Sequence, residues 1–172
     1  QEPYTFENFL SKFGTLRLFY KSPDIIKRIS WEAVEDAAQD NVRYMELRFT
    51  PVALSRAEGF PMAQVVDWVI DSVLQAADHF QIMVRLIISF NRHESLELAR
   101  EAVEIALERH IDGIVGVDLA GNEADYPAGP FRELIEEARQ GGLRVTIHAG
   151  EWGGAENVRE AIEDLGADRI GH

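Results

Sequence analysis

The segment RVTIHAGEWGG, residues 144–154, places two titratable side chains, His148 and Glu151, where an apolar run gives way to glycines. An unpaired charge is costly to bury, so titratable side chains at the end of a buried strand need a hydrogen-bonding partner or a functional role. Neutral imidazole is the commonest metal ligand, and a carboxylate three residues later suits a second ligand or a proton carrier. The same pattern also fits a hydrogen-bonded histidine beside an exposed loop glutamate.

A second histidine, His172, ends the next strand-like segment, DRIGH. Because parallel neighbouring strands end at the same edge of a sheet, we expect His148 and His172 to be neighbours there. Two imidazoles and Glu151 at one edge favour a metal or acid–base site. The alternative is that His172, the last residue of the sequence, is frayed and has no role.

Two further segments carry polar groups near the ends of strands. In VGVDLAGNE, Asp118 lies inside the strand and Gly121 begins the loop, where a bare backbone N–H can meet a ligand. Asp118 could equally be a structural anchor that accepts loop N–H bonds. In YMELRFTP, Glu46 and Arg48 share one face, and we expect an ion pair between them, with a catalytic role as the second possibility.

These residues belong to a repeating pattern of strands and helices. Helical segments have readable ends: Ser22 is a candidate N-cap before Pro23, and Gly166 suits a left-handed C-terminal cap. This alternation predicts a parallel sheet with helical crossovers. The strand-like segments are residues 42–49, 82–90, 114–120, 143–149 and 168–171.

The positions of the polar residues favour a barrel over an open sheet. No glycine-rich nucleotide fingerprint follows a strand, whereas β/α barrels build active sites from the C-terminal ends of their strands. We therefore predict the α/β class and a β/α (TIM-type) barrel, of which this chain holds about five consecutive strand–helix units. Because such barrels have eight strands, we expect residues 1–172 to be a single domain, a central part of a longer barrel.

Composition narrows the range of partners. The formal net charge is -13 over 172 residues, which argues against nucleic acid and anionic membranes. The sequence has no cysteine, so disulfides and thiolate zinc sites are excluded. No apolar stretch approaches a membrane span, and the cytoplasm is the expected compartment. The sequence has no G-x-S-x-G motif, so it does not support a nucleophilic catalytic triad. The H-E-x-x-H motif of zinc metalloproteases is also absent.

Taken together and in order, YMELRFTP, VGVDLAGNE, VTIHAGE and DRIGH resemble the adenosine deaminase family of the amidohydrolase superfamily. The resemblance covers nearly the whole chain, and HAGE with the later IGH are its most specific parts. FENFLSKF, residues 6–13, is similar to the family's helical lid over the substrate pocket. The resemblance implies a β/α barrel with one catalytic Zn²⁺ and a small-molecule purine nucleoside as substrate.

The resemblance also implies a role for each matching residue. His148 would be a zinc ligand, and Glu151 would donate a proton to the purine N1. His172 would orient or deprotonate the zinc-bound water, and the backbone N–H of Gly121 would contact N3. The implied reaction converts adenosine and water into inosine and ammonia, with zinc lowering the pKa of its water toward about 7.

The sequence departs from the family pattern in its metal ligands. An H-x-H pair from the first strand and an aspartate from a late strand are absent, and catalytic zinc normally has three protein ligands. We therefore expect the 172 residues alone neither to bind zinc tightly nor to catalyse the reaction. Alternative substrates are adenine, an N6-substituted adenine nucleotide and an aminofutalosine-like nucleoside. A family member that has lost catalysis and acts as a binding protein is the alternative from another class, and a metal-free barrel acting on sugars or phosphates is a third.

Overall fold

The computed structural model describes residues 6–172, in which a parallel sheet alternates with helices. The strands are β1 (Tyr44–Phe49), β2 (Met83–Asn91), β3 (Ile114–Ala120), β4 (Arg144–His148) and β5 (Arg169–Gly171). The helices are α1 (Phe6–Arg17), α2 (Pro23–Gln39), α3 (Pro51–Arg56), α4 (Met62–Phe80), α5 (Leu96–Glu108), α6 (Arg132–Gln140) and α7 (Ala155–Arg159). A π-helical turn, Glu160–Asp164, continues α7. Each predicted strand is present within two residues of its expected bounds.

Local sequence explains where helices begin and end. Ser22 caps α2 by accepting a hydrogen bond from the Ile25 N–H at 3.2 Å, and Pro23 occupies the first helical position. Ser95 caps α5 in the same way, accepting from the Leu98 N–H. Gly166, with φ of +64°, turns the chain from the π-helical turn toward β5. The caps predicted at Ser22 and Gly166 are confirmed.

Strand order follows chain order, β1-β2-β3-β4-β5, with every neighbouring pair parallel. In β4, alternate residues face the helices and are buried, namely Val145 and Ile147, while Thr146 and His148 face the opposite side. The fully buried Ile88 and Val103 belong to the same core, between the sheet and the helices. Burial of each such side chain contributes about 1.5–3 kcal/mol.

A contact between the first and the fifth strand shows that the sheet curls. Arg169 of β5 donates a hydrogen bond to Glu46 of β1, which also accepts from the Tyr44 hydroxyl. The two residues are joined across the concave face, over the three strands between them. The expected ion pair between Glu46 and Arg48 is therefore wrong: the curl gives each residue a partner from another strand, and Arg48 binds Asp118.

The curled parallel sheet with helices on its convex side confirms the predicted α/β class and half of a β/α barrel. Its C-terminal strand ends gather on one edge, where His148 and its neighbours lie. Within residues 6–172, no helix combines the length and the apolar character needed to cross a membrane.

Candidate functional site

A cavity of about 590 Å³ opens at the C-terminal ends of the strands. The cavity is lined by residues from α1, from the first four strands, from the segments that follow these strands and from the end of the chain. The four predicted site residues are among them. The lining comprises Ser11, Phe13, Arg17, Arg48, Thr50, Ser89, Asn91, His93, Ala120, Gly121, His148, Glu151 and His172.

His148 is held by two charged neighbours. Its Nδ1 lies 2.9 Å from Oδ1 of the fully buried Asp118, and its Nε2 lies 2.6 Å from Nη1 of Arg48. A carboxylate accepts only, so Nδ1 carries the ring proton and Nε2 presents its lone pair to Arg48. Asp118 also accepts from Arg48. Asp118 therefore fixes the imidazole and the guanidinium, rather than anchoring loop N–H groups.

The second imidazole and the glutamate lie beside the first. The ring centroids of His148 and His172 are 5.2 Å apart, and His172 Nε2 lies 3.7 Å from Oε2 of Glu151. These contacts place His172 in the cavity wall instead of leaving it frayed. The structure thus brings His148, Glu151 and His172 to one place, as the spacing of strand ends predicts.

Gly171 leaves room for the His148 ring, and a larger residue there should disturb it. A Cβ at position 171 would lie 2.9 Å from His148 Nδ1, closer than real Cβ contacts. We expect Gly171→Ala to lower the free energy of unfolding by about 1–3 kcal/mol and to shift the ring NMR signals of His148. Urea denaturation and NMR measure both effects. Gly14→Ala, whose Cβ meets open space in α1, is the control; unchanged His148 signals in Gly171→Ala would contradict the prediction.

Gly121 combines a left-handed backbone with a close approach to its neighbours. Its φ is +96°, and a Cβ there would lie 3.0 Å from His93 Nδ1. Glycine alone adopts this conformation readily, so the backbone of residue 121 stays bare in the cavity wall. This placement agrees with a backbone contact to a ligand.

Sequence reasoning missed Glu123, which is only 5% exposed. Its carboxylate accepts hydrogen bonds from the N–H groups of Gly150, Trp152 and Gly153, at 3.0, 2.6 and 2.8 Å, and from the Asn157 amide at 3.1 Å. Burial raises the pKa of Glu123, but these four donors outweigh it and lower the pKa to about 2. The available signal was an acidic residue following the glycine turn after β3.

This shift predicts how stability depends on pH. The pKa of Glu123 is about 2 in the folded chain against an ordinary 4.5, so its contribution is complete above pH 4.5 and is lost as pH falls toward 2. The shift corresponds to about 3 kcal/mol. We expect the free energy of unfolding to fall less between pH 4.5 and pH 2 in Glu123→Gln than in the wild-type chain. Urea denaturation at a series of pH values measures this, and equal acid sensitivity in both proteins would contradict it.

Arg92 is a second residue that sequence reasoning missed. It is 4% exposed, and its guanidinium donates to the backbone carbonyl of His148 at 2.5 Å and to that of Tyr126 at 3.3 Å. Burial lowers the pKa of Arg92, against the attraction of Glu123. Arg92 belongs to the segment NRHE, residues 91–94, which begins at the end of β2. No local pattern shows that its arginine turns inward beneath the end of β4.

The residues of this part of the molecule do not by themselves form a complete metal site. Among residues 6–172, no three His, Asp or Glu side chains converge closely enough to hold a metal ion. The imidazole of His148, whose Nδ1 is fixed by Asp118, is the best placed to act as a ligand, and its Nε2 lone pair is occupied here by Nη1 of Arg48 at 2.6 Å.

Comparisons with known proteins identify relatives of this chain. The family model described as adenosine deaminase matches residues 1–172. The adenosine deaminase of Clostridium perfringens is 38% identical over 172 residues, which are 100% of this chain and 52% of that protein.

Solved structures show the same fold. A Zn-bound amidohydrolase from Burkholderia ambifaria has a TM-score of 0.84 and 33% identity, over 91% of this chain and 44% of that one. The N6-methyl-AMP deaminase of Arabidopsis thaliana has a TM-score of 0.84 and 30% identity, over 98% and 51%. The chain therefore spans about half the length of the relatives it matches. The chain belongs to the adenosine deaminase family.

Proposed function

We propose that this chain forms part of a zinc-dependent hydrolase that converts adenosine and water into inosine and ammonia. The observation that carries the proposal is the meeting of His148, Glu151 and His172 beside the bare backbone of Gly121 in one cavity. This is the set of groups that hydrolytic deamination of a purine needs: a metal ligand, an acid, a group that handles the proton of water, and a backbone donor.

The donor chemistry of the site fits zinc. The Asp118 carboxylate behind Nδ1 of His148 is the kind of partner that orients a ligating histidine. The Nε2 lone pair, which Nη1 of Arg48 approaches at 2.6 Å here, would bind the metal once the guanidinium moves aside. His148 would hold the metal together with ligands that the family places outside these residues. The related Burkholderia ambifaria protein was crystallised with Zn, which supports the same metal here. Bound zinc would supply water acidic enough to act as a nucleophile near neutral pH.

The chain's own residues would bind the purine and move its protons. The backbone N–H of Gly121 would donate to N3 and fix the ring. The carboxyl of Glu151 would protonate N1, which makes C6 electron-poor enough for water to attack. His172, beside Glu151, would accept a proton from the attacking water. His172 would return that proton to the amino group, the C6–N6 bond would break, and ammonia would leave with the bonding pair. The C6 hydroxyl would give its proton back to Glu151, which leaves the C6 carbonyl of inosine.

The test uses the complete protein, purified with zinc and assayed for loss of adenosine and release of ammonia. We expect turnover with about one zinc per chain, and we expect His148→Ala to lose both. His79→Ala is the matched control, because His79 lies in the last turn of α4. Adenine and N6-methyl-AMP are assayed in parallel to identify another aminopurine as the substrate. A zinc-loaded protein that leaves adenosine unchanged would refute the proposal, and a protein without zinc would favour a binding role.

A further inference from the structure

We propose that Glu123 is a positioning residue that holds the turn carrying Glu151, an inference that rests on the proposed function of that site. Glu123 lies in the loop after β3, and Glu151 lies in the loop after β4. The Glu123 carboxylate binds the backbone on both sides of Glu151, at Gly150 and at Trp152. The main chain of Glu151 is thereby fixed at two points, although its side chain makes neither contact.

The same carboxylate ties this turn to the next element. It accepts from the Gly153 N–H and from the side-chain amide of Asn157 in α7. Residues 150–154 include three glycines, which give a free loop many conformations. Four hydrogen bonds to one buried charge select a single conformation, and that conformation places the Glu151 carboxylate in the cavity wall beside His172.

Glu123 itself is not placed to take part in the reaction. It does not line the cavity, and both of its oxygens already accept hydrogen bonds. An ionised carboxylate is the group that suits this position, because it only accepts and can bind several donors at once. A glutamine of the same shape has one acceptor oxygen, and its NH₂ group would face backbone N–H groups. Glu123→Gln therefore tests the role with little change in volume.

A kinetic cycle in the complete zinc-loaded protein tests the link to Glu151. We expect Glu123→Gln to lower kcat for adenosine about ten- to a hundredfold, with KM and zinc content close to wild type. If Glu123 acts through Glu151, adding Glu123→Gln to Glu151→Gln should cause no further loss. Effects that multiply in the double variant would overturn the proposal.

Asp168→Asn is the matched control. Asp168 also accepts from a backbone N–H, that of Val145, and from Arg144, but it lies at the opposite end of β4. We expect Asp168→Asn to lower stability and to leave kcat and KM unchanged. An equal loss of kcat in Asp168→Asn would show that general destabilisation explains the Glu123 result, and would overturn the proposal.

Amide hydrogen exchange gives a readout that does not depend on activity. We expect Glu123→Gln to speed exchange at Gly150, Trp152 and Gly153 about tenfold or more, with little change in the strands. Unchanged protection at these three amides would overturn the proposal. If the wild-type protein proves inactive on adenosine, the proposed function fails, while the exchange measurement still decides whether Glu123 holds the turn.

Discussion

Replacing Glu151 by glutamine should lower kcat for adenosine deamination by about 10²- to 10⁴-fold, the usual contribution of a general acid. Glutamine keeps the size and polarity of the side chain but has no carboxyl proton to give to N1. Because the backbone of residue 151 is held by Glu123, we expect the fold of the turn and the zinc content to be preserved. Steady-state kinetics on the complete zinc-loaded protein measures the effect.

The matched control for this experiment is Glu136→Gln. Glu136 is an exposed residue of α6 whose carboxylate accepts from Gln140, away from the cavity. We expect Glu136→Gln to have the same kcat as the wild-type protein. If Glu151→Gln retains kcat within about threefold of wild type, Glu151 is not the acid of the reaction.

The second large effect is expected at Asp118, the buried carboxylate behind His148. Asp118→Ala removes the acceptor that fixes the Nδ1 proton and the ring orientation of His148. Losing such a partner typically lowers metal affinity about 10- to 100-fold. We therefore expect weaker zinc binding in competition with a chelator, and activity that recovers in part when zinc is added in excess. Zinc affinity equal to wild type would contradict this role for Asp118.

Arg48→Met and Asp118→Ala together test how each partner of this ion pair contributes to stability. Asp118 is fully buried, whereas the Arg48 side chain is 44% exposed. Asp118→Ala leaves a guanidinium that can turn to water, but Arg48→Met leaves a buried carboxylate without its cation. Removing the partly exposed Arg48 should lower the free energy of unfolding by about 3 kcal/mol or more, and removing the buried Asp118 should lower it less. Urea denaturation of both variants measures this order, and the reverse order would contradict it.

The sequence was sufficient to predict the five strands and their alternation with helices. Strand bounds agree within two residues because β-branched runs such as IMVRLIISF are long and bounded by turns. It also predicted that His148 and His172 are neighbours, because adjacent parallel strands end at one edge. The roles of the site residues stay predictions, since the fold brings the side chains together without showing what they bind.

What the sequence could not predict depends on curvature and on loop paths. Glu46 and Arg48 share a face of β1, yet each finds its partner on a different strand, because curling brings distant strands within reach. Glu123 and Arg92 act on the backbone of the β4 end from other loops. Such contacts join residues far apart in the chain, so no local periodicity reveals them.

The contact between Glu46 and Arg169 can be used to measure the curvature of the sheet. These residues are 123 positions apart, and they meet only when every intervening strand is paired in its correct register. A coupling energy measured between them in a double-mutant cycle would report on how tightly the sheet is bent, independently of any single strand pairing. The coupling between Glu46 and Arg169 could therefore show whether a ligand that binds at the C-terminal strand ends changes the curvature of the sheet.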